Sequence, residues 1–234
     1  MNKNQFGCYY AAFKNEKATR FVLENFRKNF PENPIFLFSD GGNDFSHLAE
    51  EYGCGYEHSF NIFEPQREML CSSRMREFWR RLKVSVDHCD KEYLMILEDD
   101  VYVRGYFEID RHFSLCGSRI GAQFSTIAKR DIKKATSKDI HTYGMCGGSM
   151  LNTEIFNKIY NDVILDINEN HDQKIKNKVD SWCSLGSTDS NITYHFCKRG
   201  YFYEPNPWMI EVRESQRSWR TSDHPIVHEY KENY

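Results

Sequence analysis

The sequence lacks any uninterrupted apolar stretch approaching the ~20 residues that span a bilayer. Its first residues, Met1-Asn2-Lys3-Asn4-Gln5, also lack the apolar core of a secretory leader. Both absences make a soluble cytoplasmic chain the expectation. There is no Pro/Gly/Ser-rich linker, low-complexity tract or internal repeat in the 234 residues, so a single domain spanning 1–234 is expected. No C-x-x-C pair occurs among Cys8, Cys54, Cys71, Cys89, Cys116, Cys146, Cys183 and Cys197. That excludes the usual zinc and redox spacings and points to reduced, partly buried thiols. Positive charge is not in excess either. A net charge of -3 and a pI near 6.3 leave no general basic field, which disfavours a nucleic-acid partner.

What is present is an alternation of apolar runs and helical patterns. Phe6 to Phe13 reads as a buried strand, and Lys17 to Phe30 as a helix with Ala18, Phe21, Val22, Phe26 and Phe30 on one face. Pro34 to Phe38 is a second strand ending in the Ser39-Asp40-Gly41-Gly42 turn, followed by a short helix, Asp44 to Tyr52. A weaker strand, Tyr56 to Phe60, precedes a long helix, Arg67 to His88, and then the strand Tyr93 to Leu97. Arg76, Arg80 and Arg81 are assigned to the solvated face of that long helix. In the second half the pattern predicts a strand at His141 to Asn152, a helix at Thr153 to Tyr160 and a polar stretch from Asn161 to Lys178. A helix beginning at Ser187-Thr188-Asp189-Ser190 and stopping at Gly200 follows, then a strand at Tyr201 to Glu204 and a tail from Asp223 to Tyr234. Strands alternating with helices predict a mainly parallel sheet covered on both faces, with ligands bound beyond the carboxyl ends of its strands.

The densest chemistry lies at Glu98-Asp99-Asp100, between Tyr93-Leu94-Met95-Ile96-Leu97 and Val101-Tyr102-Val103. Adjacent carboxylates repel one another unless a cation compensates them. Hard oxygen donors suit Mg²⁺ or Mn²⁺, which complete their shells with phosphate oxygens and water, so the triplet predicts a phosphorylated ligand. The competing reading is a solvated acidic turn, against which the apolar flanks argue.

Through FLFSDGG, MILEDDV, STDSNITY and HPIVHEYK the sequence resembles the GT-A glycosyltransferases. Within them it is most similar to the small domains encoded by large DNA viruses of algae and other giant viruses. The resemblance covers most of the chain and implies an α/β, Rossmann-like nucleotide-diphospho-sugar transferase fold, with a mostly parallel central sheet flanked by helices. About 1–103 would form the half that binds the nucleotide sugar, and about 104–234 the acceptor-binding half with a C-terminal tail. The implied activity is metal-dependent transfer of a sugar from a nucleoside-diphosphate donor, UDP-linked by family analogy, to a hydroxyl of a glycan or glycoconjugate. Mn²⁺ or Mg²⁺ is the implied cofactor. The alternatives are a sugar-1-phosphate nucleotidyltransferase and a non-catalytic carbohydrate-binding protein on the same fold.

The resemblance also assigns residues. Asp100 is the metal ligand, Glu98 reaches the ribose, and Asp99 faces the donor sugar. His228 completes the metal shell, with His224 as the fallback, and Lys231 lies on the phosphates; the competing reading is a polar surface tail. Ala12, Lys14 and Asp40 sit where the family holds base and ribose, although Asp40 before Gly41-Gly42 is equally a turn former. Arg74 is a candidate for the diphosphate or the base. Gly147 and Gly148 bring backbone against the donor sugar, or simply make a bulge. Asp189 is the catalytic base, unless it only caps its helix. Trp182, Tyr143 and Trp208 are candidate stacking surfaces, with a place in the core as the competing reading.

Overall fold

Alternate residues of the apolar strands face opposite sides of one sheet, which divides the core in two. The computed structural model describes residues 5–59, 71–118, 133–134, 145–176, 186–212, 220, 222–228 and 230. In β1 (Phe6–Ala12), Phe6, Cys8, Tyr10 and Ala12 point into one core and Tyr9 into the other. In β4 (Tyr93–Leu97), Tyr93, Met95 and Leu97 share the first core, while Leu94 and Ile96 share the second. Strands buried on both faces read as continuous apolar runs, which is why these two were visible in the sequence.

The first core is covered by α1 (Glu16–Asn29) and α2 (Ser46–Glu51). Asn15 starts α1 by accepting a hydrogen bond from the Ala18 N–H at 3.3 Å, and Val22, Leu23 and Phe26 form its buried stripe. The second core is covered by α3 (Ser72–Cys89), α4 (Thr153–Lys176) and α5 (Thr188–Lys198). Trp79 of α3 stacks on Phe156 of α4 with centroids 5.3 Å apart. Its indole N–H donates to Asn191 Oδ1 of α5 at 2.8 Å, so one side chain fixes three helices.

The remaining strands are β2 (Ile35–Asp40), β3 (Gly55–Ser59), β5 (Tyr102–Val103), β6 (Leu115–Gly117), β7 (Met150–Asn152), β8 (Tyr203–Pro205), β9 (Met209–Glu211) and β10 (Ile226–His228). Seven strands form the central sheet in the order β3-β2-β1-β4-β7-β6-β8. Its pairs are parallel except β4 with β7 and β6 with β7. The fold is thus α/β and Rossmann-like, with a mostly parallel sheet flanked by helices. A second sheet, β5-β10-β9, lies against the first core through Val103, Met209 and Ile226. Among the described residues no helix is long and apolar enough to cross a membrane.

Four expectations are corrected. The helix at Thr153 does not stop at Tyr160 but continues through the polar stretch to Lys176, because Val163, Ile167 and His171 recur on one buried face. The strand expected over His141 to Asn152 begins at Met150; Gly148 before it has φ +87, a turn conformation that glycine adopts without a side-chain clash, and 141–144 lie outside the described residues. The C-terminal segment is not only a polar tail, since Ile226–His228 is a buried strand between β5 and β9. Arg81 is fully buried rather than solvated, and donates to Asp40 Oδ1 at 2.8 Å.

Candidate metal centre and active site

The sheet order places β2 and β3 on one side of β1, and β4 on the other. The crevice between β1 and β4 is therefore the point where strand order reverses, the location favoured for ligands in open α/β sheets. The acidic triplet emerges there. A turn closed by the Val101 N–H on the Glu98 carbonyl, at 3.1 Å, puts Asp99 and Asp100 at its two central positions.

That turn separates the three carboxylates. Asp99 points inward, accepting from the Tyr10 hydroxyl at 2.8 Å, the Phe13 N–H at 3.1 Å and the Thr19 hydroxyl at 3.2 Å. Desolvation nonetheless dominates and raises its carboxyl above the ordinary range. Glu98 and Asp100 turn the other way, toward His228. The Nε2 atom of His228 lies 3.3 Å from Glu98 Oε2 and 3.6 Å from Asp100 Oδ1.

Strand register delivers the histidine. Val227 pairs with Tyr102 across the antiparallel β5–β10 ladder, and the Tyr230 N–H donates to the Asp100 carbonyl at 2.9 Å. Tyr230 also stacks on Phe21, at 5.7 Å between centroids. On the other edge His228 is the direct register partner of Glu211, whose Oε1 lies 3.4 Å from His228 Nδ1. The space for this approach exists because residue 147 is glycine. A Cβ there would lie 2.5 Å from Val101 Cγ2, 3.0 Å from His228 Cδ2 and 3.1 Å from Glu98 Oε2.

Glu98, Asp100 and His228 each offer one ligand atom, all within 4.8 Å of one another. Two carboxylates and an imidazole fit Mn²⁺ well; Mg²⁺ matches the carboxylates and is less suited to the nitrogen. The same imidazole meets Cys146 and Glu211 through its other face. Burial opposes a charge on His228, but hydrogen bonds to the Glu211 and Glu98 carboxylates favour it, and its pKa is raised well above the ordinary histidine value. Burial lifts the Cys146 thiol to about 11.

Asp189 reaches the same region from α5. It lines a cavity of about 170 Å³ together with Glu98, Tyr9, Phe78, Ile96, Met145 and Thr188. Its carboxyl is pushed up to about 7, first by desolvation and second by the negative charge of Glu98. Asp189 is half-buried. Ser187, at the N-cap, makes no side-chain capping bond, and Asp189 accepts from the Thr188 hydroxyl at 3.0 Å.

Other sequence candidates are placed as follows. Lys14 lines a larger cavity of about 610 Å³ with Phe13, Asn15, Lys17, Arg20 and Asp99. Ala12 is fully buried in β1, paired with Ser39. Asp40 is 1% exposed at the end of β2, its carboxylate held by Arg81. Arg74 is half-buried in the first turn of α3, one turn before the cavity-lining Phe78. Gly148 packs against Ile226 and Met209, where a Cβ would meet Ile226 Cγ2 at 2.8 Å. Trp208 packs on the first core and stacks on Phe107 at 5.5 Å. Lys231, Tyr143 and Trp182 lie outside the described residues.

Sequence reasoning missed Glu211, Cys146, Tyr10, Thr19 and the burial of Arg81. Only Glu211 left a signal, an acid inside the apolar run Trp208-Met209-Ile210-Glu211-Val212.

No protein-family model matches the chain, and no curated sequence matches it. Among solved structures the chain is similar to a cytidylyltransferase from Leptospira borgpetersenii serovar Hardjo-bovis, at 10% identity and a TM-score of 0.44, over 87% of this chain and 77% of that one. The chemistry therefore rests on the side chains themselves.

Proposed function

We propose that the chain is a divalent-cation-dependent glycosyltransferase that moves a sugar from a UDP-linked donor to a hydroxyl of a glycan or glycoconjugate, with inversion. The observation that carries this reading is the convergence of Glu98, Asp100 and His228 at the switch point of the sheet, with Asp189 sharing a cavity with Glu98. The resemblance of MILEDDV and HPIVHEYK to the GT-A enzymes supports it.

Glu98, Asp100 and His228 would hold Mn²⁺ or Mg²⁺, whose charge would favour departure of the nucleoside diphosphate. The 610 Å³ cavity lined by Lys14 lies within the common range for ligand pockets, ~300–1,000 Å³, and its polar lining of Lys14, Lys17 and Arg20 with Glu16 and Asp99 suits the polar end of a nucleotide. Lys231 would add charge on the phosphates, as the resemblance implies. Ionised Asp189 accepts the proton of the acceptor hydroxyl as that oxygen bonds to C1 of the sugar and the bond from C1 to the diphosphate oxygen breaks. A carboxyl with a pKa of about 7 is well poised for this exchange near neutral pH.

The second reading is nucleotidyl transfer to a sugar phosphate; the similar solved structure is named a cytidylyltransferase. The same cation cluster would serve a nucleoside triphosphate. The local structure favours it less: β1 passes through Phe13 and Lys14 directly to the Asn15 cap of α1, leaving no glycine-rich phosphate loop. Product analysis with Mn²⁺ separates the readings. UDP released from a nucleotide sugar, and lost in Asp100→Ala, supports the glycosyltransferase. Pyrophosphate released from a nucleoside triphosphate and a sugar phosphate supports the second reading, and neither product would leave a binding protein.

A further inference from the structure

Glu211 is buried, on a strand whose neighbouring positions are apolar, and no step of the proposed reaction uses it. Its Oε1 atom lies 3.4 Å from His228 Nδ1 and accepts from the Cys146 thiol at 3.5 Å. The contact is built into the backbone, because Glu211 and His228 are register partners across β9 and β10 and the Val212 N–H donates to the His228 carbonyl at 2.9 Å. A carboxylate on an imidazole nitrogen keeps a proton there, and a cation bound at the opposite nitrogen displaces the proton from that side and takes its lone pair. The other nitrogen, Nε2, faces Glu98 and Asp100.

We propose that Glu211 is a positioning residue that holds His228 with its proton on Nδ1, so that Nε2 is presented to the cation bound by Glu98 and Asp100. This rests on the cation-site reading above. Cys146 belongs to the arrangement as a neutral second donor to the same oxygen, which helps keep the buried carboxylate satisfied. An alternative assembly, with Cys146, Glu211 and His228 Nδ1 together binding a soft metal such as Zn²⁺, would take His228 away from Glu98 and Asp100.

The test combines Mn²⁺ titration followed by electron paramagnetic resonance with a long-range proton–nitrogen NMR spectrum of protein carrying isotopically labelled histidine. In Glu211→Ala we expect Mn²⁺ affinity to fall about 10–100-fold, the range for losing such a partner. Glu211→Gln, which keeps the shape and an acceptor oxygen, is expected to recover part of the loss and guards against a folding defect in the alanine variant. In metal-free wild type the Nδ1 proton of His228 should be hydrogen-bonded to Glu211, shifted downfield and slow to exchange with water, and Glu211→Ala should abolish that signal. This spectrum judges Glu211 even if the wild type binds no Mn²⁺, the outcome that would sink the cation site itself. An unchanged Nδ1 proton signal in Glu211→Ala would overturn the proposal. So would a thiolate-to-metal absorption band on adding Zn²⁺ that disappears in Cys146→Ser, because Glu211 would then be a ligand.

Discussion

Asp189, at the start of α5, and Glu98, at the end of β4, line one small cavity, and the charge on Glu98 helps lift the Asp189 carboxyl to about 7. Two acids from distant parts of the chain are thereby coupled, one turned toward a cation cluster and the other available to a proton.

The coupling has a sign. The folded pKa of Asp189 lies above its unfolded value near 3.8, so the folded state binds more protons between pH ~4 and ~7 and loses stability as pH rises through that window. Asp189→Asn removes the penalty. In chelator-treated protein the variant should melt above wild type at pH 8 and with it at pH 4, as read by thermal denaturation. Transfer by the variant should fall about 10²–10⁴-fold, the usual contribution of a positioned base.

Asp99 and Asp100 should separate cleanly. Asp99→Ala abandons three donors, from Tyr10, Phe13 and Thr19, and is expected to lower stability by about 1–3 kcal/mol in urea denaturation. Its Mn²⁺ affinity should stay near that of wild type. Asp100→Ala should do the reverse.

Gly147→Ala tests the close approach at the cluster. The added methyl would press on Val101, which is fully buried, and on His228 and Glu98. Overpacking of this kind costs about 1–3 kcal/mol. Weaker Mn²⁺ binding should accompany that loss, measured by titration of folded protein.

The Arg81–Asp40 pair is buried on both sides. Arg81→Met leaves a buried carboxylate without its cation, a change that costs about 3–5 kcal/mol. Replacing both residues by apolar side chains should restore much of the stability. Equilibrium unfolding of the two variants checks this.

The legible parts of the sequence were those where local pattern and tertiary role agree. Tyr93 to Leu97 is apolar at every position because both faces of β4 are covered, and the structure gives the same five residues as strand. The triplet was found for the same reason, as charge following directly on such a run. Illegible features depended on partners distant in sequence. Nothing near Arg81 indicates that Asp40 lies beneath it, so an arginine among arginines looked solvated. Among the described residues, the second half of α4 buries Val163, Ile167 and His171, a thin stripe among mostly polar residues that does not outweigh the composition of the segment. Asp99 looked equivalent to its neighbours until the turn at Glu98 aimed it at Tyr10. Glu211 gains its meaning only from the register that sets it opposite His228.

The most direct test of the central claim is titration calorimetry of UDP into the protein, with Mn²⁺ and with chelator, for wild type and Asp100→Ala. The account predicts UDP binding that requires Mn²⁺ and weakens at least about tenfold, some 1.4 kcal/mol, in the variant. Equal UDP binding in chelator, or Mn²⁺-dependent binding undiminished in Asp100→Ala, would contradict it.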